Sequence, residues 1–193
     1  MDLTKGTEKE RTNRAKKMML WFAIISMVMM FAGLTSAYVV SKSRPDWLSS
    51  FELPQAFTWS TIVIVLSSIT MALAKKNIVK GNRKNGTAFL LGTLILACLF
   101  IVFQFEGFAA IVEAGFYFTG SESTITTSFI YVLVLAHLAH LAGGLIVLLV
   151  LIYNHFKQRY RQGQTLGLEL GANFWHFLDV LWVYLFFFLY FFR

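Results

Sequence analysis

The stretch at residues 173–192, NFWHFLDVLWVYLFFFLYFF, decides the fold class of this chain. Only two of its side chains, His176 and Asp179, can carry a charge near neutral pH. A helix needs about 20 predominantly apolar residues to cross the roughly 30 Å hydrocarbon core of a bilayer. The stretch therefore predicts a transmembrane helix that carries an ionisable pair between Trp175 and Trp182.

Earlier apolar runs are also long enough to cross a bilayer, and the predicted spans are residues 18–41, 55–74, 87–112, 126–153 and 173–192. The chain is 57% hydrophobic and only 14% charged, whereas soluble domains average about 25% charged residues. We therefore predict an all-α, polytopic membrane protein, a bundle of five transmembrane helices. Residues 18–193 are expected to form one transmembrane domain after a basic cytoplasmic segment at residues 1–17.

The distribution of basic residues predicts the orientation of the bundle. Residues 1–17 carry six Lys or Arg, and the 75–86 and 154–172 loops carry five and three. The segments on the opposite side hold the other three of the 17, one of them Arg193. The positive-inside rule then places the N-terminus in the cytoplasm and the C-terminus outside. Because the net charge of +7 is divided among loops and forms no single stripe, we expect no nucleic-acid partner.

Polar side chains inside membrane spans are candidates for function by default, since they are costly to bury in lipid. Three spans carry them: Gln104, Glu106, His137, His140, His176 and Asp179. The histidines of span four, and the pair in span five, are three residues apart, so each pair shares one helix face. We expect Glu106 to contact His137 or His140. We expect His176 and Asp179 to lie near the cytoplasmic boundary.

These residues leave several interpretations open. A haem site needs imidazoles on two facing helices, and a zinc or copper site needs three or four converging ligands. A proton relay through Glu106 and the histidines is chemically reasonable. The alternative is that the polar groups bond each other and hold helices in register. We predict no catalytic residue and no metal site, because the lone Cys98 and the histidines do not complete a ligand set. We interpret Trp175 and Trp182 as part of an interfacial aromatic belt.

Four motifs in order along the chain resemble one known family. WHFLDVLW (175–182) is similar to W-H-F-x-D-x-x-W, and AHLAHLAGG (136–144) is similar to H-x-x-H-x-x-x-G. QFE (104–106) matches Q-x-E, and LPQAFTWSTIVIVLSSIT (53–70) resembles P-x(4)-T-x(5–8)-S-S-x-T through Pro54, Ser67, Ser68 and Thr70. Together they resemble subunit III of the haem-copper oxidases, the cytochrome c and quinol oxidase family, in its short five-helix bacterial form.

The chain departs from the family pattern in two places. Family members commonly have seven helices, whereas five are predicted here, so the lipid-holding cleft of the long form is expected to be incomplete or completed by another subunit. The first helix of the short form often carries Ser-Glu. Here Ser26 is followed by Met27, so a role for that carboxylate in proton uptake does not carry over.

The resemblance implies a non-catalytic subunit of a proton-pumping terminal oxidase in aerobic respiratory electron transport. Such a subunit supports assembly, binds phospholipid, and sustains proton uptake and turnover stability of subunit I. It has no cofactor of its own, because haem and copper belong to the partner subunits. The implied partners are oxidase subunits I and II, phospholipids and a respiratory supercomplex, and the implied location is the bacterial plasma membrane. Two alternatives are an accessory protein of a nitric oxide reductase and a membrane b-type cytochrome that uses His137.

Overall fold

The computed structural model describes residues 7–44, 47–48, 53–118, 120, 124–160 and 165–192. Over these residues the regular structure consists of five α-helices: α1 Glu8–Ser41, α2 Gln55–Val79, α3 Arg83–Glu113, α4 Ile125–Phe156 and α5 Leu166–Phe192. All five are long and apolar enough to cross a membrane. The predicted all-α fold with five membrane-spanning helices is confirmed, and the predicted ends at residues 1–6 and Arg193 lie outside the described part of the chain.

The helices extend beyond the apolar runs that predict them. The helix α1 starts at Glu8, although its apolar run starts at residue 18. Thr7 caps this start, because its Oγ1 accepts from the backbone N–H of Glu10 at 3.4 Å while its own N–H donates to the Glu10 carboxylate at 2.9 Å. Such a reciprocal cap satisfies backbone donors that the helix leaves free. Local capping therefore sets this boundary, and hydropathy does not.

The helix α5 lies at the centre of the bundle. It packs against α1, α2 and α4, while α3 packs against α2 and α4. The α2–α3 pair is the most extensive, and the two helices are joined by a tight turn that includes Gly81 at φ +81°. Only glycine adopts this backbone conformation at little cost. Side chains of α5 therefore meet three other helices.

One end of the bundle carries most of the basic residues. Because successive helices run in opposite directions, the start of α1, the α2–α3 turn and the α4–α5 connection lie at the same end. Lys17 of α1 pairs with Glu169 of α5 at 3.5 Å. Arg83 of α3 donates to the backbone oxygen of His155 in α4 at 3.1 Å. We call this the basic end.

The close approach of α4 and α5 depends on Gly144. A Cβ atom at this position would lie 2.5 Å from Leu178 Cδ1 and 3.6 Å from the ring of Trp175. Both neighbours are buried. At the adjacent Gly143 a Cβ atom would meet nothing within 4 Å. The two glycines therefore form a matched pair, one inside the helix contact and one outside it.

We predict that Gly144→Leu lowers the thermal stability of the detergent-solubilised protein by about 1–3 kcal/mol, the usual cost of overpacking a tight interior. Gly143→Leu serves as the control, because it adds the same side chain and the same gain in helix propensity. Thermal unfolding followed by circular dichroism compares the two. Equal stability of the two variants would contradict the assigned α4–α5 contact.

Candidate functional site

Hydroxyl side chains on α2 organise the interior of the bundle. Ser60 and Thr61 recur seven residues later as Ser67 and Ser68, and this spacing places the four on one side of the helix. Ser60 and Ser67 are fully buried. Each of the four shares a hydrogen bond with a side chain of α3 or α5. We call these four residues the α2 hydroxyl face.

Two tryptophans of α5 bind this face. The indole Nε1 of Trp175 donates to Ser67 Oγ at 3.0 Å, and Nε1 of Trp182 donates to Thr61 Oγ1 at 3.0 Å. Both side chains are only 1% exposed. The interpretation of these residues as an interfacial belt is therefore wrong. A buried indole needs an acceptor for its N–H, and the hydroxyl face provides one for each ring.

The histidine of the same helix also reaches α2. His176 Nδ1 and Ser68 Oγ are 2.7 Å apart and form a hydrogen bond. Asp179, one turn along α5, is 2% exposed and lies near the same Ser68 hydroxyl. Neither of its carboxyl oxygens makes a hydrogen bond to any described residue. His176 therefore joins two helices directly, whereas Asp179 contributes no such bond.

Gln104 and Glu106 point in opposite directions from α3. The Gln104 side chain is fully buried, and its Nε2 donates to Ser60 Oγ at 2.9 Å. Glu106 is exposed on the outer surface of the bundle. At about 100° per residue, side chains two positions apart lie roughly 200° apart around a helix. Because Gln104 occupies the inward side, the structure does not bring Glu106 to His137 or His140.

The two histidines of α4 face different neighbours. His137 is fully buried, with ring centroids 6.0 Å from Phe100 and 5.1 Å from Trp182. Neither of its ring nitrogens has a hydrogen-bond partner among the described residues. His140 Nδ1 donates to the backbone oxygen four residues earlier at 2.7 Å, and its ring meets Phe31 of α1 edge-on at 5.7 Å. His137 therefore contacts α3 and α5, whereas His140 contacts α1. Their three-residue spacing suggests one shared partner helix, and the structure does not show one.

A further histidine, which the sequence did not single out, joins α3 to α4 at the basic end. His155 is 4% exposed, and its Nε2 lies 2.8 Å from Thr87 Oγ1 in a hydrogen bond. Arg83 binds the backbone oxygen of the same residue. A histidine in the last turn of an apolar run gives no indication of its partner. In contrast, the seven-residue spacing of the α2 hydroxyls indicates from the sequence alone that they share one side of the helix.

These contacts hold helices together in a defined register. Side-chain hydrogen bonds between membrane helices contribute about 0.6 kcal/mol each on average, with a maximum of about 1.7. Within the described ranges, no three His, Cys, Asp or Glu side chains form a group that could hold a metal ion. The geometry therefore supports a structural role for these side chains, which attach α5 and α3 to α2.

Comparison with known proteins identifies the family. The family described as cytochrome c oxidase subunit III matches residues 4–193, which is nearly the entire chain. The chain belongs to the cytochrome c oxidase subunit III family. The resemblance found from the four motifs is thereby confirmed.

Curated relatives of the chain include subunit 3 proteins named for a ubiquinol oxidase and for cytochrome c oxidase. The chain is 28% identical over 170 residues to cytochrome bo(3) ubiquinol oxidase subunit 3 of Pseudomonas aeruginosa, covering 86% of this chain and 79% of that protein. It is 30% identical over 179 residues to cytochrome c oxidase subunit 3 of Loxodonta africana, covering 84% and 64%. It is 27% identical over 143 residues to the subunit 3 of Spodoptera frugiperda, covering 74% and 92%. It therefore spans less than two thirds of the length of the Loxodonta protein.

Membership of the subunit III family gives the chain its general role. It is a multi-pass membrane protein and a subunit III of the haem-copper oxidases, which are multi-subunit complexes. Other oxidase subunits are therefore its partners. Members of this family carry no redox centre of their own.

We predict that Trp175 and Ser67 are coupled energetically. In a double-mutant cycle with Trp175→Phe and Ser67→Ala, the interaction energy should be about 0.5–1.5 kcal/mol, because each single change leaves a buried polar group unpaired. The matched control replaces Trp59, which is 57% exposed, by Phe alongside Ser67→Ala. That control pair should be additive. Additive behaviour of the Trp175 pair in reversible unfolding would contradict the bond.

Proposed function

We propose that this chain is a non-catalytic subunit of a proton-pumping terminal oxidase in the bacterial plasma membrane. In this role it binds oxidase subunits I and II and phospholipid, and it supports assembly of the enzyme. It also sustains proton uptake and turnover stability of subunit I. The observation that carries the proposal is the family match over residues 4–193.

The arrangement of polar groups supports a structural role. Three inward side chains of α5, Trp175, His176 and Trp182, and Gln104 of α3 are hydrogen-bonded to the α2 hydroxyl face. A bis-histidine haem site would need two imidazoles facing each other across the bundle. Instead, the His137 ring lies against Phe100 and Trp182, and His140 binds its own helix backbone. These positions favour the oxidase subunit over a b-type cytochrome.

The orientation belongs to the same proposal. The N-terminus, with residues 1–17 as a basic segment, lies in the cytoplasm, and the C-terminus lies outside. Support comes from the division of basic residues, 14 of 17 of which belong to the N-terminal segment and the two loops of the basic end. Cytoplasmic loops of membrane proteins carry this excess of Lys and Arg.

The central prediction is co-purification. When the chain is tagged and isolated from native membranes in mild detergent, subunits that carry haem should accompany it, and the complex should show their visible absorbance. The chain purified alone should show no Soret band, because its inward histidines are not placed as axial ligands. A Soret band that persists after removal of the partner subunits would overturn the proposed function.

We further propose that the ionisable pair of α5 serves assembly and not chemistry. Asp179→Leu should reduce the amount of chain that co-purifies with the other subunits, because the carboxyl group lies buried beside the Ser68–His176 bond. The complexes that do form should keep their rate per turnover. Glu113→Leu is the control, since it removes an exposed carboxylate at the end of α3.

Quantitative mass spectrometry of the purified complex and oxygen-consumption kinetics separate the two effects. A complete Asp179→Leu complex that turns over slowly from the first cycle would contradict the structural role.

A further inference from the structure

A groove opens between α2 and α5 at the basic end. Its volume is about 390 Å³, and the residues that line it are Ala72, Lys75, Lys76, Val79, Lys80 and His176. Three of these side chains carry a positive charge at neutral pH, and none is acidic. A groove with this lining attracts an anion that also has an apolar part.

The lysines of the groove lie on one face of α2. Lys76 and Lys80 are four residues apart, and Lys75 lies beside Lys76, so their ammonium groups can reach a common ligand. The same face continues toward the bilayer with exposed apolar side chains, including Ile69 at 52% and Val65 at 43%. A basic surface therefore passes directly into an apolar one.

The helix α5 contributes a polar group that is fixed in place. His176 Nδ1 forms a hydrogen bond of 2.7 Å with Ser68 Oγ, which lies about two helical turns before Lys75 on α2. Its other nitrogen, Nε2, has no hydrogen-bond partner among the described residues. A ring positioned in this way can bind an oxygen atom in the groove.

Among the described residues, neither acidic residue of α5, Glu169 or Asp179, forms an ion pair with the lysines of the groove. Glu169, in the first turn of α5, forms an ion pair with Lys17 of α1. Topology alone explains basic residues at this end of the bundle, but it does not explain a groove between two helices with a histidine on the opposite wall. Basic pockets between membrane helices on the cytoplasmic side bind the head groups of anionic lipids.

We propose that this groove binds the phosphate group of an anionic phospholipid, with Lys75, Lys76 and Lys80 around the phosphate and His176 on the opposite wall. The acyl chains lie along the exposed apolar face of α2. The inference rests on the proposed function only in requiring an assembled membrane complex, and it adds a specific site and a lipid class.

The test compares bound lipid in complexes purified from native membranes. The variant K75Q/K76Q/K80Q removes the three charges of the groove. The control K9Q/K16Q/K84Q removes three exposed lysines that belong to the same end and lie outside the groove. Native mass spectrometry counts the retained phospholipids. We expect the groove variant to retain about one anionic phospholipid fewer than wild type and the control to match wild type.

Add-back experiments identify the source of the phosphate. Delipidated complex should bind phosphatidylglycerol in nanodiscs more tightly than phosphatidylcholine, and the groove variant should lose about tenfold or more of this preference, since each lysine near an anionic lipid contributes about 1 kcal/mol. Displacement of phosphatidylglycerol by millimolar inorganic phosphate would show a free-anion site and overturn the proposal. Equal lipid retention by wild type and the groove variant would also overturn it.

The same samples separate this proposal from the proposed function. If the oxidase subunits co-purify normally while lipid binding is unchanged, only the groove assignment fails. If the triple variant does not assemble, the single variants K76Q and K80Q, at exposed positions, are measured in its place. Each should show a partial loss of the anionic lipid, and unchanged retention in both would overturn the assignment.

Discussion

The structure depends on one constraint, which is that a polar group inside a bilayer is costly unless the protein supplies a partner, because lipid offers none. The α2 hydroxyl face meets this constraint for three side chains of α5 and one of α3. The contacts specify distance and register at once, since a hydrogen bond of about 3 Å tolerates little sliding of one helix along another. Apolar packing alone specifies register weakly where lipid tails are as apolar as the side chains.

The sequence predicted the features of the fold that depend on composition, which are the number and type of the helices. It did not predict which side chains face the interior of the bundle. Five apolar runs predicted five helices correctly, because each run has the roughly 20 apolar residues that a helix needs to cross a bilayer. Which way a side chain points is decided by packing between helices. Gln104 and Glu106 differ by two positions, and only the observed α2–α3 contact shows that the amide faces inward. The sequence likewise does not show which way Trp175 and Trp182 face. Their composition suggests an interfacial belt, but in the structure their N–H groups donate to hydroxyl groups of α2.

The helix α5 contacts α2 and α1 in different ways. Its contact with α2 is rich in hydrogen bonds, whereas its contact with α1 is mainly packing. Toward α2, α5 makes three side-chain hydrogen bonds. Toward α1, the polar side-chain contacts of the described residues are one hydroxyl pair, Thr35 with Tyr184 at 3.2 Å, and the Lys17–Glu169 ion pair at the basic end. Ser26, which precedes Met27 where the family often has a glutamate, is exposed on α1. The helix α1 is therefore attached mainly by packing, and it offers no carboxylate at that position.

These positions also bear on the proton relay that the sequence left open. A relay needs groups within hydrogen-bonding distance of one another in succession. Glu106 faces outward, and His137 is enclosed by Phe100 and Trp182 with both ring nitrogens unbonded among the described residues. The Trp182 indole, which is nearest to that ring, donates its proton to Thr61. Among the described side chains, Glu106, His137 and His140 therefore form no continuous hydrogen-bonded chain. The polar groups of α2, α3 and α5 instead bond each other between helices.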